Sequence, residues 1–146
     1  LLIGAGGPRM LAIAAQEADI VGINPNMSAG VVGPAAITDA TAEATDRKVG
    51  WVKEAAGDRF DSIELNSLVF AAVMTDDSAG TAEAIGALMG TDPAGVLEMP
   101  HALIGSVDQL AEELAARRER WGFSYYVVQQ DSFEAMAPLI AAVAGS

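Results

Sequence analysis

The chain contains no cysteine and a single histidine, His101. Disulfides, thiolate nucleophiles and Cys-ligated zinc or iron–sulfur centres are therefore excluded, as is any His-rich metal site, and no metal is expected. Basic residues are scarce. Eight Lys and Arg stand against twenty Asp and Glu, a formal net charge of −12. Acidity of that size repels nucleic-acid phosphates and anionic lipid alike. No apolar run approaches the ~20 residues of a transmembrane helix. No basic segment precedes the first apolar residues, as a secretory signal requires. The expected setting is cytoplasmic, with neither nucleic acid nor membrane as partner.

What is present reads as globular: 51% of the 146 residues are hydrophobic and 19% charged. That length suits one domain, residues 1–146, with a real core. The first residue is Leu1 and leads straight into an apolar run. A chain that starts inside a strand reads as a piece of something longer.

Short apolar runs alternate with helical stretches. Leu1-Leu2-Ile3 ends at Gly4-Ala5-Gly6-Gly7, and Pro8 then opens a helix, where its missing N–H costs nothing. Met10, Leu11, Ala14 and Ala15 share one face of that helix, which runs to about Ala18. Ile20 to Ile23 is a second strand, stopped by Asn24-Pro25-Asn26. Residues 26–37 read as a loop. Thr38-Asp39 is expected to cap a helix lasting to Ala56, with Ala44, Trp51, Val52 and Ala55 buried and Gly57 as its stop. Ile63 to Val73 holds the third strand. Helices follow from Thr81 to Met89 and from Asp92-Pro93 to about Met99. Ser106 and Gln109 form a capping box for a helix reaching Arg120, with Arg117, Arg118 and Arg120 at the negative end of its dipole and Gly122 as C-cap. Ser124 to Gln129 is the fourth strand. Asp131 or Ser132 caps a last helix that buries Met136, Leu139, Ile140 and Val143. Nearly continuous apolar strands alternating with helices define an α/β protein with a parallel sheet of four βα units. A closed (β/α)8 barrel takes ~250 residues, so the chain suits half of one or a small open sheet.

The segment richest in chemical meaning is Leu2 to Met10. A strand, a glycine-rich turn and a helix N-terminus leave backbone N–H groups unsatisfied at the positive end of a dipole. Glycine lets backbone approach an anion, and Arg9 adds a charged donor. These residues fit a phosphate-binding loop, and they also fit a tight strand-to-helix turn with no ligand. The dinucleotide fingerprint G-x-G-x-x-G fails, because Arg9 stands where its last glycine belongs and Asn24, not an acid, ends the second strand. No Walker A sequence occurs. Asp76-Asp77 read as a solvated turn. Alternation puts Tyr125 and Val127 on one face of the last strand and Tyr126 and Val128 on the other. His101 reads as a loop histidine, and Met10, Met74, Met89 and Met136 as core filling.

Leu2 to Leu11, with Ala15, Glu17-Ala18-Asp19 and Ile20, resembles the fifth strand, loop and helix of the luciferase-like monooxygenase superfamily, and in particular its branch using the deazaflavin F420. Asp46 to Val52 with Ala56 to Phe60 is similar to the helix before the seventh strand. His101 to Asp108 with Arg117 to Tyr125 resembles the segment leading into the eighth. The resemblance implies the C-terminal half, strands five to eight, of a (β/α)8 TIM barrel. It implies a cofactor phosphate on Ala5, Gly6 and Gly7, next to Gly4 and Arg9, with Asn24 facing the cofactor side. It implies hydride transfer between F420 and a small organic substrate, with FMN as the alternative cofactor. Strands one to four of the family barrel, which supply several of its catalytic groups, have no counterpart in the chain, and no catalytic residue is assigned.

Open apolar sheet edges predict pairing with a second copy or with a complementary half. A non-catalytic, self-associating α/β scaffold is the alternative from a different class. On the phosphate reading, Gly6→Val is expected to weaken cofactor binding with little loss of fold.

Overall fold

The computed structural model describes residues 1–27 and 34–144. Strand β1 (Leu2–Ala5) passes through Gly6-Gly7 into helix α1 (Pro8–Glu17), and β2 (Ile20–Ile23) follows. After the short helix α2 (Pro34–Thr38) come α3 (Ala42–Ala56), a 3-10 turn and β3 (Glu64–Leu68). Next are β4 (Ala71–Met74), α4 (Ser78–Met89), α5 (Pro93–Glu98) and β5 (Ala102–Gly105). The chain ends with α6 (Val107–Trp121), β6 (Phe123–Val127) and α7 (Phe133–Val143). A four-stranded, all-parallel sheet runs β1-β2-β3-β6, and β4 and β5 form a separate parallel pair.

The expected third strand is thus two strands. Val69 N–H still donates to Val127 O in the main sheet, at 2.8 Å, whereas Phe70 N–H donates to His101 O, also at 2.8 Å. The chain changes partner between these two residues. Periodicity does not reveal the break, because the apolar run Leu68 to Val73 continues straight across it. The partner strand β5 stands in the sequence only as an apolar stretch before the capping box.

The main sheet buries one face under α1 and α3. Leu11, Ala14 and Ala15 of α1 and Val49 and Val52 of α3 pack on Val21, Ile23, Leu65 and Phe123. Arg59 ties this layer down by donating to Ala15 O in the last turn of α1 and to Ala18 O just beyond it. Met10, expected inside, is half exposed, because it sits beside the buried stripe of α1 and not on it. A second cluster joins β4 and β5 to α4 and α5, and a third joins α6 and α7 to Leu103 and Val69. In α7 Met136 and Leu139 are buried, while Ile140 faces out.

Caps mostly fall where the sequence puts them. Gly57, Gly90 and Gly122 take positive φ after α3, α4 and α6, a conformation that favours glycine. The Ser106–Gln109 capping box is formed in both directions. Helix α3, however, begins at Ala42 behind the cap Thr41, because Thr38 and Asp39 belong to α2 and the turn after it. Of the predicted loop 26–37, residues 28–33 lie outside the described residues, and its last part is the start of a helix at Pro34. Ser132 precedes α7 without a side-chain cap bond. Asp77 is more than a solvated turn, since its carboxylate caps α4 through Gly80 N–H at 2.9 Å.

Candidate functional site

Register places Gly4, Gly22, Asn66 and Tyr125 in one row across β1, β2, β3 and β6. An irregularity after Leu65 and Phe123 puts Tyr125 opposite Asn66. Phe123 and Tyr126 therefore pack among the helix-side residues while Tyr125 is left partly exposed, as alternation predicts. Buried Asn66 donates through Nδ2 to Tyr125 O at 3.1 Å.

Asn24 extends the β1–β2 ladder by one bond, from its N–H to Ala5 O at 2.9 Å. Its side chain leans over β1, so a Cβ on Gly4 would lie 2.7 Å from Asn24 Nδ2. A Cβ on Gly22 would meet Gly4 Cα at 3.1 Å and Asn66 Oδ1 at 3.3 Å. The paired glycines are what let Asn24 and Asn66 share this face. Asn24 Oδ1 is buried and has no partner.

The wall beside the glycine turn is the segment Asn24 to Asn26, and Lys48 fixes its shape. Lys48 is 1% exposed, and its Nζ donates to Asn24 O at 2.9 Å, to Asp39 O at 2.7 Å and to Asp39 Oδ2 at 2.7 Å. These contacts use all three ammonium protons. Asp39 Oδ2 also accepts from Asn26 N–H at 2.7 Å. Burial lowers the Lys48 pKa, and the Asp39 carboxylate opposes that shift. Sequence reasoning misses Lys48 because it lies in the charge run Asp46-Arg47-Lys48. The signal that finds it is spacing: Ala44, Lys48 and Val52 form a single i, i+4 row, and all three are buried.

Gly6 packs against that wall. A Cβ there would lie 2.6 Å from Pro25 O and 2.8 Å from Asn26 N, both backbone atoms. The expectation that Gly6→Val spares the fold is therefore overturned. Valine forces the β1–α1 turn away from the segment after β2, at a cost on the order of 1–3 kcal/mol. A lowered urea midpoint for Gly6→Val, beside an unchanged one for Gly7→Ala, is the expected result. A Cβ on Gly7 would have no neighbouring atom within 4 Å, and the backbone there is ordinary and extended, φ −106°. Gly7 is the N-cap of α1 and offers no side-chain acceptor, and Pro8 fills the first turn. The N–H groups of Arg9 and Met10 thus receive no cap from Gly7. Arg9 is exposed beside them.

The other candidates have structural partners. Arg117, expected as a dipole-complementing charge, is 4% exposed and donates to Met99 O, Pro100 O and Ala102 O, with Glu113 as its ion pair. It holds the turn into β5. Arg120 pairs with Asp46, which also accepts from Trp121 Nε1 at 2.6 Å, and these bonds keep the Asp46 carboxyl below the usual range. His101 is 1% exposed and not a free loop histidine. Its Nδ1 lies 2.9 Å from Leu68 O, and burial lowers its pKa to about 4. Gln129 and Asp131 are exposed beyond β6. Among the described residues no cluster of three His, Asp or Glu could hold a metal ion, and no helix is long and apolar enough to cross a membrane.

A half-sheet of four parallel strands with helices on one face is the fold of half a (β/α)8 barrel. Solved structures agree. The long-chain alkane monooxygenase LadA matches with a TM-score of 0.58 at 12% identity, over 97% of this chain and 40% of its own. A riboflavin lyase, RcaE, solved with modified FMN and riboflavin, matches with a TM-score of 0.61 at 10% identity, over 98% of this chain and 42% of its own. The coenzyme F420 dependent tetrahydromethanopterin reductase from Methanopyrus kandleri matches with a TM-score of 0.58 at 16% identity, over 95% of this chain and 48% of its own. These neighbours are luciferase-like TIM-barrel enzymes, in line with the sequence resemblance, and the chain spans less than half the length of each. Identities this low establish the fold. No family model matches the chain, and no curated protein matches it.

Proposed function

We propose that this chain is the cofactor-phosphate-binding half of a luciferase-like oxidoreductase that uses F420. The observation that carries the reading is the glycine turn. At the C-terminal end of a parallel strand it offers the uncapped start of a ten-residue helix, an open Gly7 and the adjacent Arg9. Donors of that kind suit a phosphate. In this reading the N–H groups around Ala5–Gly7 and the first turn of α1 hold the phosphate, and Arg9 adds charge. Gly4 and Asn24 border the same end of the sheet. The cofactor when bound supplies hydride transfer to or from a small organic substrate. The protein's part is to bind and orient it. FMN is the second reading, because one fold neighbour was solved with modified FMN and both cofactors present a phosphate. The edge strand β1 and the edge strand β6 leave ladder groups open, and we assign them to pairing with a second half, either another copy or a complementary chain segment.

Gly7→Asp tests the reading. Aspartate is a good N-cap, so the variant keeps its fold, while its carboxylate takes the N–H groups and repels a phosphate. F420 and FMN titrations followed by cofactor fluorescence are expected to show at least a ~10-fold weaker Kd than wild type, about 1.4 kcal/mol. Gly7→Ala is expected to stay near wild type. Equal affinity of wild type and Gly7→Asp contradicts the assignment.

A further inference from the structure

Helix α7 is exposed and yet almost uncharged. Of its 11 residues only Glu134 carries a charge, in a chain where 19% of residues do. Phe133 is 59% exposed and Ile140 44%. Helix α1, at the other end of the half-sheet, leaves Met10 and Ile13 half exposed. Right-handed crossovers set α3 on one flank of α1 and the open edge of β1 on the other. A helix turns about 100° per residue. Counted from the buried stripe Leu11, Ala14 and Ala15, Met10 and Ile13 fall on the flank away from α3, and Ala12 on the flank toward it. Counted from Met136 and Leu139, Phe133, Ala137 and Ile140 fall on the flank of α7 away from α6, past the open edge of β6. The exposed apolar side chains of both helices thus gather at the two edges of the sheet. On the sheet face opposite α1 and α3, Leu2 of β1 and Tyr125 of β6 are partly exposed at the same two edges.

Exposed apolar surface gathered in this way marks an interface. The geometry also names the partner. Four parallel strands are half of the eight that close such a barrel, so they carry the sheet through half a circle. A half-turn therefore places β1 of a second copy beside β6, and the second copy's β6 beside β1. Contact closes at two, and no sheet edge is left. Each seam sets α1 of one copy beside α7 of the other, with Met10 and Ile13 against Phe133, Ala137 and Ile140. None of these five side chains is charged, so two chains of net charge −12 meet where repulsion is least. We propose that both seams are covered by a second copy of this chain, docked about a two-fold axis into a closed eight-stranded ring. The proposal rests on the edge pairing assigned above, narrows it to one occupant and needs no cofactor.

Sedimentation equilibrium of the cofactor-free protein is expected to give a concentration-dependent mass rising to twice 15.0 kDa, with no larger species. Ile13→Glu and Ile140→Glu alter exposed side chains. Both are expected to keep the wild-type circular dichroism and to weaken dimerisation at least ~10-fold. Leu88→Glu, in α4 and away from both seams, is expected to leave the dimer intact. The chain has no cysteine, so a short bismaleimide reads the contact directly. Ile13→Cys protein mixed with Ile140→Cys protein is expected to cross-link, and neither variant with itself. A monomer at every concentration, the result if only a complementary chain segment fits the seams, overturns the proposal. Open-ended association overturns it too, as does cross-linking of Ile13→Cys protein with itself. None of these outcomes bears on phosphate binding, which Gly7→Asp tests separately.

Discussion

Replacing Lys48 by Met is expected to destabilise the fold by about 3–5 kcal/mol, a large share of the ~5–15 kcal/mol of a typical domain. Lys48 Nζ holds Asn24 O, Asp39 O and the Asp39 carboxylate at 2.7–2.9 Å. Methionine matches the volume of the stem but leaves a carboxylate and two carbonyls without their donor. The Asp39 side chain is 27% exposed, so water relieves part of the loss and the lower end of the range is the better target. Asp39→Asn keeps an oxygen for Lys48 and for Asn26 N–H and is expected to cost less. Urea denaturation of the three proteins measures the order. A Lys48→Met midpoint equal to wild type contradicts the clamp. The same variant loosens Pro25 and Asn26, against which Gly6 packs, so its cofactor affinity is expected to fall as well.

The second large effect is a pH dependence written by His101. Burial lowers its pKa from 6.5 to about 4 in the folded chain. Between those values the unfolded chain takes up a proton that the folded chain refuses. Stability present above pH 6.5 is therefore lost as the pH falls toward 4, by about 3 kcal/mol for this group. Three carboxyls with shifted pKa also contribute on acidification, with different signs; that of Asp19, held low by its hydrogen bond to the N-terminal ammonium, acts as Asp46 does. The Asp46 carboxyl, held low by Arg120, also loses stability on acidification, whereas the Glu113 carboxyl, raised by burial, gains it. The comparison is consequently made against His101→Asn, which does not titrate and whose Nδ2–H stands where Nδ1–H stood for Leu68 O. The stability gap between wild type and variant is expected to shift against wild type by about 3 kcal/mol from pH 7 to pH 4. A gap independent of pH contradicts the buried neutral imidazole.

Much of the fold is legible in the sequence, and the reasons are local. Pro8 behind Gly6-Gly7, the Ser106–Gln109 box and the stops at Gly57, Gly90 and Gly122 each settle a chain reversal with a few residues. What is not legible depends on partners far away in sequence. The split of the third strand rests on Phe70 N–H choosing His101 O over the main sheet. The burial of Arg117 rests on carbonyls of the turn at Met99–Ala102, and that of His101 on Leu68 O, 33 residues away. At the candidate site the glycine turn is visible, but its wall is not. No spacing rule connects Gly6 with Pro25 and Asn26, and a lysine inside a run of charges reads as solvated until the i, i+4 row through Ala44 and Val52 is drawn.

Whether the Ala5–Gly7 turn and the start of α1 hold a cofactor phosphate is tested most directly by the phosphorus resonance of FMN or F420, recorded as protein is added. Wild-type protein is expected to shift and broaden the ³¹P signal, and Gly7→Asp to leave it at the free position. A ³¹P signal that ignores wild-type protein, or one that responds identically to both proteins, contradicts phosphate binding at this turn.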